Sequence, residues 1–167
     1  MLPNRLSAAL FAALILGPLP ALAQGSCAED LALIRLDDSQ VLEFDIEVVD
    51  TPASRAQGLM YRKDVPPETG MLFIYEQPQP VSFWMRNTLV PLDMIFLDAE
   101  GVIRHIHPNA RPLDETPVPG AMVGDPDPAR LMVLEIAGGE AARLGLAKGQ
   151  VLAHPALDQD RAAFPCS

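Results

Sequence analysis

From residue 42 to residue 48 apolar and acidic side chains alternate without a break: Leu42, Phe44, Ile46 and Val48 fall on one side, Glu43, Asp45 and Glu47 on the other. A period of two belongs to a strand with one dry face and one wet face, and a single strand cannot bury its own dry face. The chain must therefore build a sheet. Residues 31–36 supply a first partner, joined to 40–49 through the turn-forming Asp37-Asp38-Ser39, so a β-hairpin is expected to open the fold.

Further short apolar runs at 71–75, 81–86, 92–97, 102–107, 131–136 and 151–153 read as strands. The run at 92–97 is apolar almost throughout, as expected of a strand covered on both faces. Helical signals are few. Asp50-Thr51-Pro52 starts one helix, with Asp50 or Thr51 as N-cap and Pro52 near the first helical position; it is expected over 52–60, weakening at Gly58. A second is expected over about 140–144, stopped by Gly145 in the manner of a left-handed cap. Residues 108–128 are rich in proline and lack an apolar period, so they read as a long surface loop. The resulting expectation is an α+β fold, a mostly antiparallel β-sheet curling toward a barrel, with two short helices.

The N-terminus has a separate logic. Arg5 precedes an apolar run at 8–16, Gly17-Pro18 breaks it, and Ala21-Leu22-Ala23 offers small residues for cleavage, so 1–23 read as a signal peptide and 24–167 as a single domain. The apolar run is too short and too interrupted to stay as a membrane span. Lipidation at Cys27 is the rival reading, but Gln24-Gly25-Ser26 lacks the apolar residue that would introduce it. The expected location is the periplasm or the exterior.

The formal net charge of −10 becomes one unit more negative once Arg5 is removed. Nucleic acid and anionic membranes, which require clustered Lys and Arg, are therefore not expected partners. The two cysteines, Cys27 and Cys166, lie near opposite ends of the mature chain. In an exported protein without a Cys-x-x-Cys motif they are expected to form one disulfide.

The candidate site centres on residues 81–96, which hold the single tryptophan. Alternation puts Phe83 and Met85 on one face of a strand and Ser82, Trp84 and Arg86 on the other, while Asn87, Thr88 and Pro91 mark a turn or crossover. Two roles are open for Asp93: a cap that accepts backbone N–H groups, or a ligand-binding carboxylate converging with Trp84, Asn87 and Arg86 or Arg62.

The series Gly58-Leu59-Met60-x-Arg62, Gly70-Met71-Leu72-Phe73, Phe83-Trp84-Met85-x-Asn87-Thr88, Pro91-Leu92-Asp93-Met94-x-Phe96 and Leu134-Glu135-Ile136 closely resembles the family called domain of unknown function 192, over roughly residues 40–154. The resemblance implies no established activity, substrate or cofactor.

Two metal hypotheses stand beside it. Met60, Met71, Met85 and Met94 suit soft Cu(I) but equally fill cores. His105 and His107 flank Ile106 and should share a strand face, a geometry that can chelate a transition metal. No hydrolase, metalloprotease, phosphate-loop or dinucleotide motif is present, so no catalytic residue is assigned and no cofactor is expected. The sequence thus points to a monomeric, exported binding domain. Its small-molecule ligand or envelope-protein partner is expected to meet Arg62, Trp84, Arg86, Asn87, Thr88 and Asp93. The alternatives are a copper-type envelope protein using methionine and histidine, and a hydrolase-like enzyme of unknown substrate.

Overall fold

A computed structural model describes residues 26–166. The expected signal segment, 1–23, lies outside the described residues.

The elements follow in the order β1 (Leu31–Arg35), β2 (Val41–Val49), α1 (Pro52–Gln57), β3 (Thr69–Gln79), β4 (Ser82–Phe83), β5 (Leu92–Leu97), β6 (Ile103–Ala110), β7 (Val118–Pro119), β8 (Arg130–Ala137), α2 (Glu140–Leu144) and β9 (Val151–Ala153). Seven strands form one sheet in the order β6-β5-β8-β3-β2-β1-β9, and β4 pairs with β7 apart from it. Only β2 and β3 run parallel within the large sheet. The sheet curls into a half-barrel whose two ends meet: Val102 bridges Val151, and the Ile103 and Leu152 N–H groups donate across the seam to Gln150 and Gly101 at 2.8 Å each.

Alternation divides the apolar side chains into two layers. The concave side encloses Phe44, Ile46, Leu72, Ile95, Leu134 and Leu152. The other face carries Met71, Phe73, Met94, Phe96 and Val133, which would be wet in a bare sheet. Here they are roofed by Leu59, Met85 and Val118 from the connections. Both faces of β5 are therefore dry, and all six of its residues are buried, as its unbroken apolar run implies.

The two helices start and stop where local chemistry dictates. Thr51 caps α1 in a reciprocal box with Ser54, and Gly58 ends it at φ 48°. A side chain at Gly58 would also put its Cβ 3.0 Å from the Phe73 ring, so the residue serves both the turn and the close approach of α1 to the sheet. At the other helix Gly145 takes the left-handed conformation and returns its N–H to the last turn.

Three sequence expectations change. The expected strand at 81–86 shrinks to Ser82–Phe83 and leaves the main sheet. Its burial alternation nonetheless persists, with Met85 buried and Ser82, Trp84 and Arg86 exposed. The strand at 71–75 lengthens to Thr69–Gln79 because β8 continues to pair with it across a bulge as far as Gln79. The proline-rich segment is less irregular than expected: β6 runs into it as far as Ala110, β7 lies within it, and the fully buried Arg130 grips it. Its guanidinium donates to the Gly120, Asp127 and Ala129 carbonyls at 2.6–2.9 Å and pairs with Asp125 at 2.7 Å. Cys27 and Cys166 are joined by a disulfide.

Candidate functional site: a cleft over Glu135

The outer face carries two neighbouring rows of side chains across five strands. Register aligns Val49, Phe73, Val133, Phe96 and His105 in one row and Glu47, Met71, Glu135, Met94 and His107 in the next. Glu135 is the central member of its row. It is the one acid in β8, 4% exposed, with no protein group among the described residues donating a hydrogen bond to its carboxyl. Burial alone pushes that carboxyl up to about 8, so at neutral pH it holds its proton.

The roof is incomplete above Glu135. A cleft of about 420 Å³ opens between α1 and the β4 segment, with Phe73, Tyr75, Phe83 and Trp84 contributing aromatic walls and Glu135 in its lining. Phe83 stands edge-on to Phe73 and Phe96, with ring centroids 5.0 and 5.8 Å apart, which fixes the inner wall. Arg55 lies at the edge with its guanidinium 4.8 Å from the Tyr75 ring centre, donating to the Ile74 and Asp50 carbonyls. Both hydrogen bonds come from its Nη1. The Tyr75 hydroxyl titrates above its ordinary range, mainly because it is buried; Arg55 opposes that shift and Glu135 reinforces it.

The turn bearing Trp84 is held from two sides. The Met85 N–H donates to Asp114, the Leu113 N–H donates to the Met85 and Thr88 carbonyls, and the Tyr61 N–H donates to Asn87. Tyr61, Asn87 and Leu113 all adopt positive φ, between 57° and 65°. For residues as bulky as Tyr and Leu this conformation is unfavourable unless the surroundings impose it. Three left-handed residues meeting around one turn mark a backbone held in a specific shape. Trp84 is left 49% exposed there.

The expected site residues are only partly gathered. Trp84 and Thr88 line the cleft. Arg86 is at the rim with its guanidinium 5.6 Å from the Trp84 ring centre, and Asn87 sits behind the turn with its amide directed at the Met60 sulfur. Arg62 and Asp93 lie elsewhere. Arg62 pairs with the exposed Glu47 at 2.6 Å in a separate cleft lined also by Asp30, Asp45 and Asp64. Asp93 is fully buried on the other side of β5 from Met94. Its oxygens accept the N–H groups of Asn109 (2.7 Å), Gly139 (2.9 Å) and Ala141 (2.8 Å). Of its two open roles, the geometry is that of the cap.

Met71, Met85 and Met94 are buried in the outer layer. His105 and His107 share a face as expected, but His105 stacks on Phe96 at 5.7 Å, and burial lowers its pKa. His107 is separated from Glu135 by Met94. Among the described residues no three His, Cys, Asp or Glu side chains come together where a metal ion would be held. No described helix is long and apolar enough to cross a membrane.

Sequence reasoning overlooked Glu135, Tyr75 and Arg55. Glu135 did carry a signal: it is an ionisable residue between Leu134 and Ile136, in a strand read as dry.

Fold and cleft together define a small, mixed half-barrel domain with an aromatic recess on its convex side. Comparison with known proteins places it among relatives. The chain belongs to the DUF192 family, described as an uncharacterized ACR, which matches residues 33–154. It is 40% identical to a protein of unknown function from Novosphingobium aromaticivorans, over 73% of this chain and 82% of that one, with a TM-score of 0.66. A second solved structure, described as a proposed transcription regulator from Sinorhizobium meliloti, is 35% identical over 78% of this chain and 96% of its own, with a TM-score of 0.68. No curated protein matches.

Proposed function

We propose that this DUF192 domain binds a small ligand in the cleft over Glu135, with Trp84 as the outer wall. The observation that carries the reading is an unpartnered buried carboxyl opening onto aromatic side chains. Its oxygens are reached from the cleft rather than sealed, so a ligand's polar group can take the place of water on them. Volume and composition agree with small-molecule sites, which are concave, apolar and carry a few fixed polar groups.

In this reading the mature chain works in the periplasm or outside the cell. The segment at 1–23 supports that, and so does the Cys27–Cys166 bridge, since disulfides persist in oxidising compartments. Cell fractionation with mass spectrometry of the mature N-terminus tests it; an intact Met1 in the cytoplasm refutes it.

The binding reading is tested by screening small aromatic compounds against the mature chain and following amide shifts by NMR. Ala56, exposed on α1 at the cleft lining, is replaced by Phe to fill the recess. Shifts clustering around Trp84 and Phe83 that vanish in Ala56→Phe support the site. Their persistence in that folded variant, or the absence of any clustered shift, refutes it.

A further inference from the structure

We propose that the cleft is selective for a small organic cation, an ammonium group seated against Glu135 with its apolar remainder along Phe83 and Trp84. This rests on the reading that the cleft is a ligand site and adds the chemical class of its occupant.

Two features of the geometry point to a cation. Among the described residues Glu135 is the sole acid lining the recess, and its carboxyl receives no hydrogen bond from them. Phe73, Tyr75, Phe83 and Trp84 surround the recess, and aromatic rings attract cations when water is excluded. Arg55, the one cation among the described lining residues, lies over Tyr75 and donates through Nη1 to the Asp50 and Ile74 carbonyls.

Magnitudes also favour this assignment. The carboxyl, pushed up to about 8, must lose its proton to pair with a cation, and at pH 7 that reduces affinity about tenfold. An ion pair at about 4 Å in a partly desolvated site returns on the order of a thousandfold. The charged or titratable groups facing Glu135 from the packed elements are Tyr75 on β3 and Arg55 on α1; Glu47 and His107 stand at the two ends of its row. The β4 segment contributes Ser82, Phe83 and Trp84, none ionisable.

Cation binding therefore releases a proton from the Glu135 carboxyl to solvent. The probe is benzyltrimethylammonium, which does not titrate, compared with benzyl alcohol, which has the same ring without charge. Both are titrated into the mature chain by calorimetry from pH 6 to pH 9, in buffers of different ionisation enthalpy. The expected result is an affinity for the cation that rises about tenfold per pH unit up to about 8 and then levels. Close to one proton should be released per cation bound at pH 6, and almost none at pH 9. In Glu135→Gln the pH dependence and the proton release disappear, and the preference over benzyl alcohol falls at least tenfold. Equal binding of the two probes, or a cation affinity unchanged in Glu135→Gln, overturns the assignment while leaving the cleft as a ligand site. Binding of neither probe also overturns it; the clustered NMR shifts then decide separately whether the cleft binds anything.

Discussion

Glu135 and Asp93 are both acids buried against apolar strands, and their surroundings give them opposite characters. Asp93 is fully paired with main chain, so Asp93→Ala leaves three N–H groups without their acceptor. A loss of about 3–5 kcal/mol in urea unfolding is expected, with cleft binding intact where the variant folds. Glu135 behaves in the reverse way. Its folded carboxyl keeps a proton up to about pH 8, against an ordinary value of 4.5, so its contribution to stability is complete below about 4.5 and is lost as pH rises through 8. The full swing is up to about 5 kcal/mol. Glu135→Gln carries no such swing. It is expected to be several kcal/mol more stable than the parent at pH 9 and close to it at pH 4.5, as read from urea midpoints. A parallel pH dependence in the two proteins would contradict the buried, unpaired carboxyl. At this scale the sequence was half legible. Asp93 and Trp84 stood out because of their neighbours in the chain, whereas Glu135 acquires its meaning from Met71 and Met94 on other strands.

Among the elements, α1 shows how little local structure is needed to shape the recess. None of its residues is buried, so it is held by its ends and by Arg55. Thr51→Ala removes the reciprocal cap and is expected to cost about 1 kcal/mol, seen as faster amide exchange confined to 52–58. The proline-rich segment is held differently. Arg130 directs its donors at three carbonyls and Asp125 from a fully buried position. Arg130→Met strands those acceptors and is expected to cost about 3–5 kcal/mol, with new protease cleavage near 121–125. The helix starts and stops were readable because Thr51, Gly58 and Gly145 act through their own backbone. The function of Arg130 was not, because three of its partners are main-chain carbonyls with no side-chain signature, and only the fold brings Asp125 to it.

For the molecule as a whole, the Cys27–Cys166 bridge spans 139 residues of chain. Cys27→Ser with Cys166→Ser is expected to lower stability by about 2–5 kcal/mol, measured by denaturant midpoint against the oxidised parent. That pairing was legible from the cysteine count, and so was the barrel-like curl from many short strands. Strand order was not, because apolar periodicity says which face of a strand is dry and nothing about its neighbour. The pairing of β5 and β3 on either side of β8 satisfies the buried backbone of strands far apart in sequence. The parallel step from β2 to β3 has a consequence of its own. It requires a crossover, and the crossover carries α1 across the outer face as one bank of the recess. One bank of the recess and its floor thus come from different stretches of chain, the floor being Phe73 and Glu135 of the sheet. Replacing 50–68 with the equivalent piece of a cousin protein should reshape that bank while Glu135 keeps its raised titration and the barrel melts where it did before.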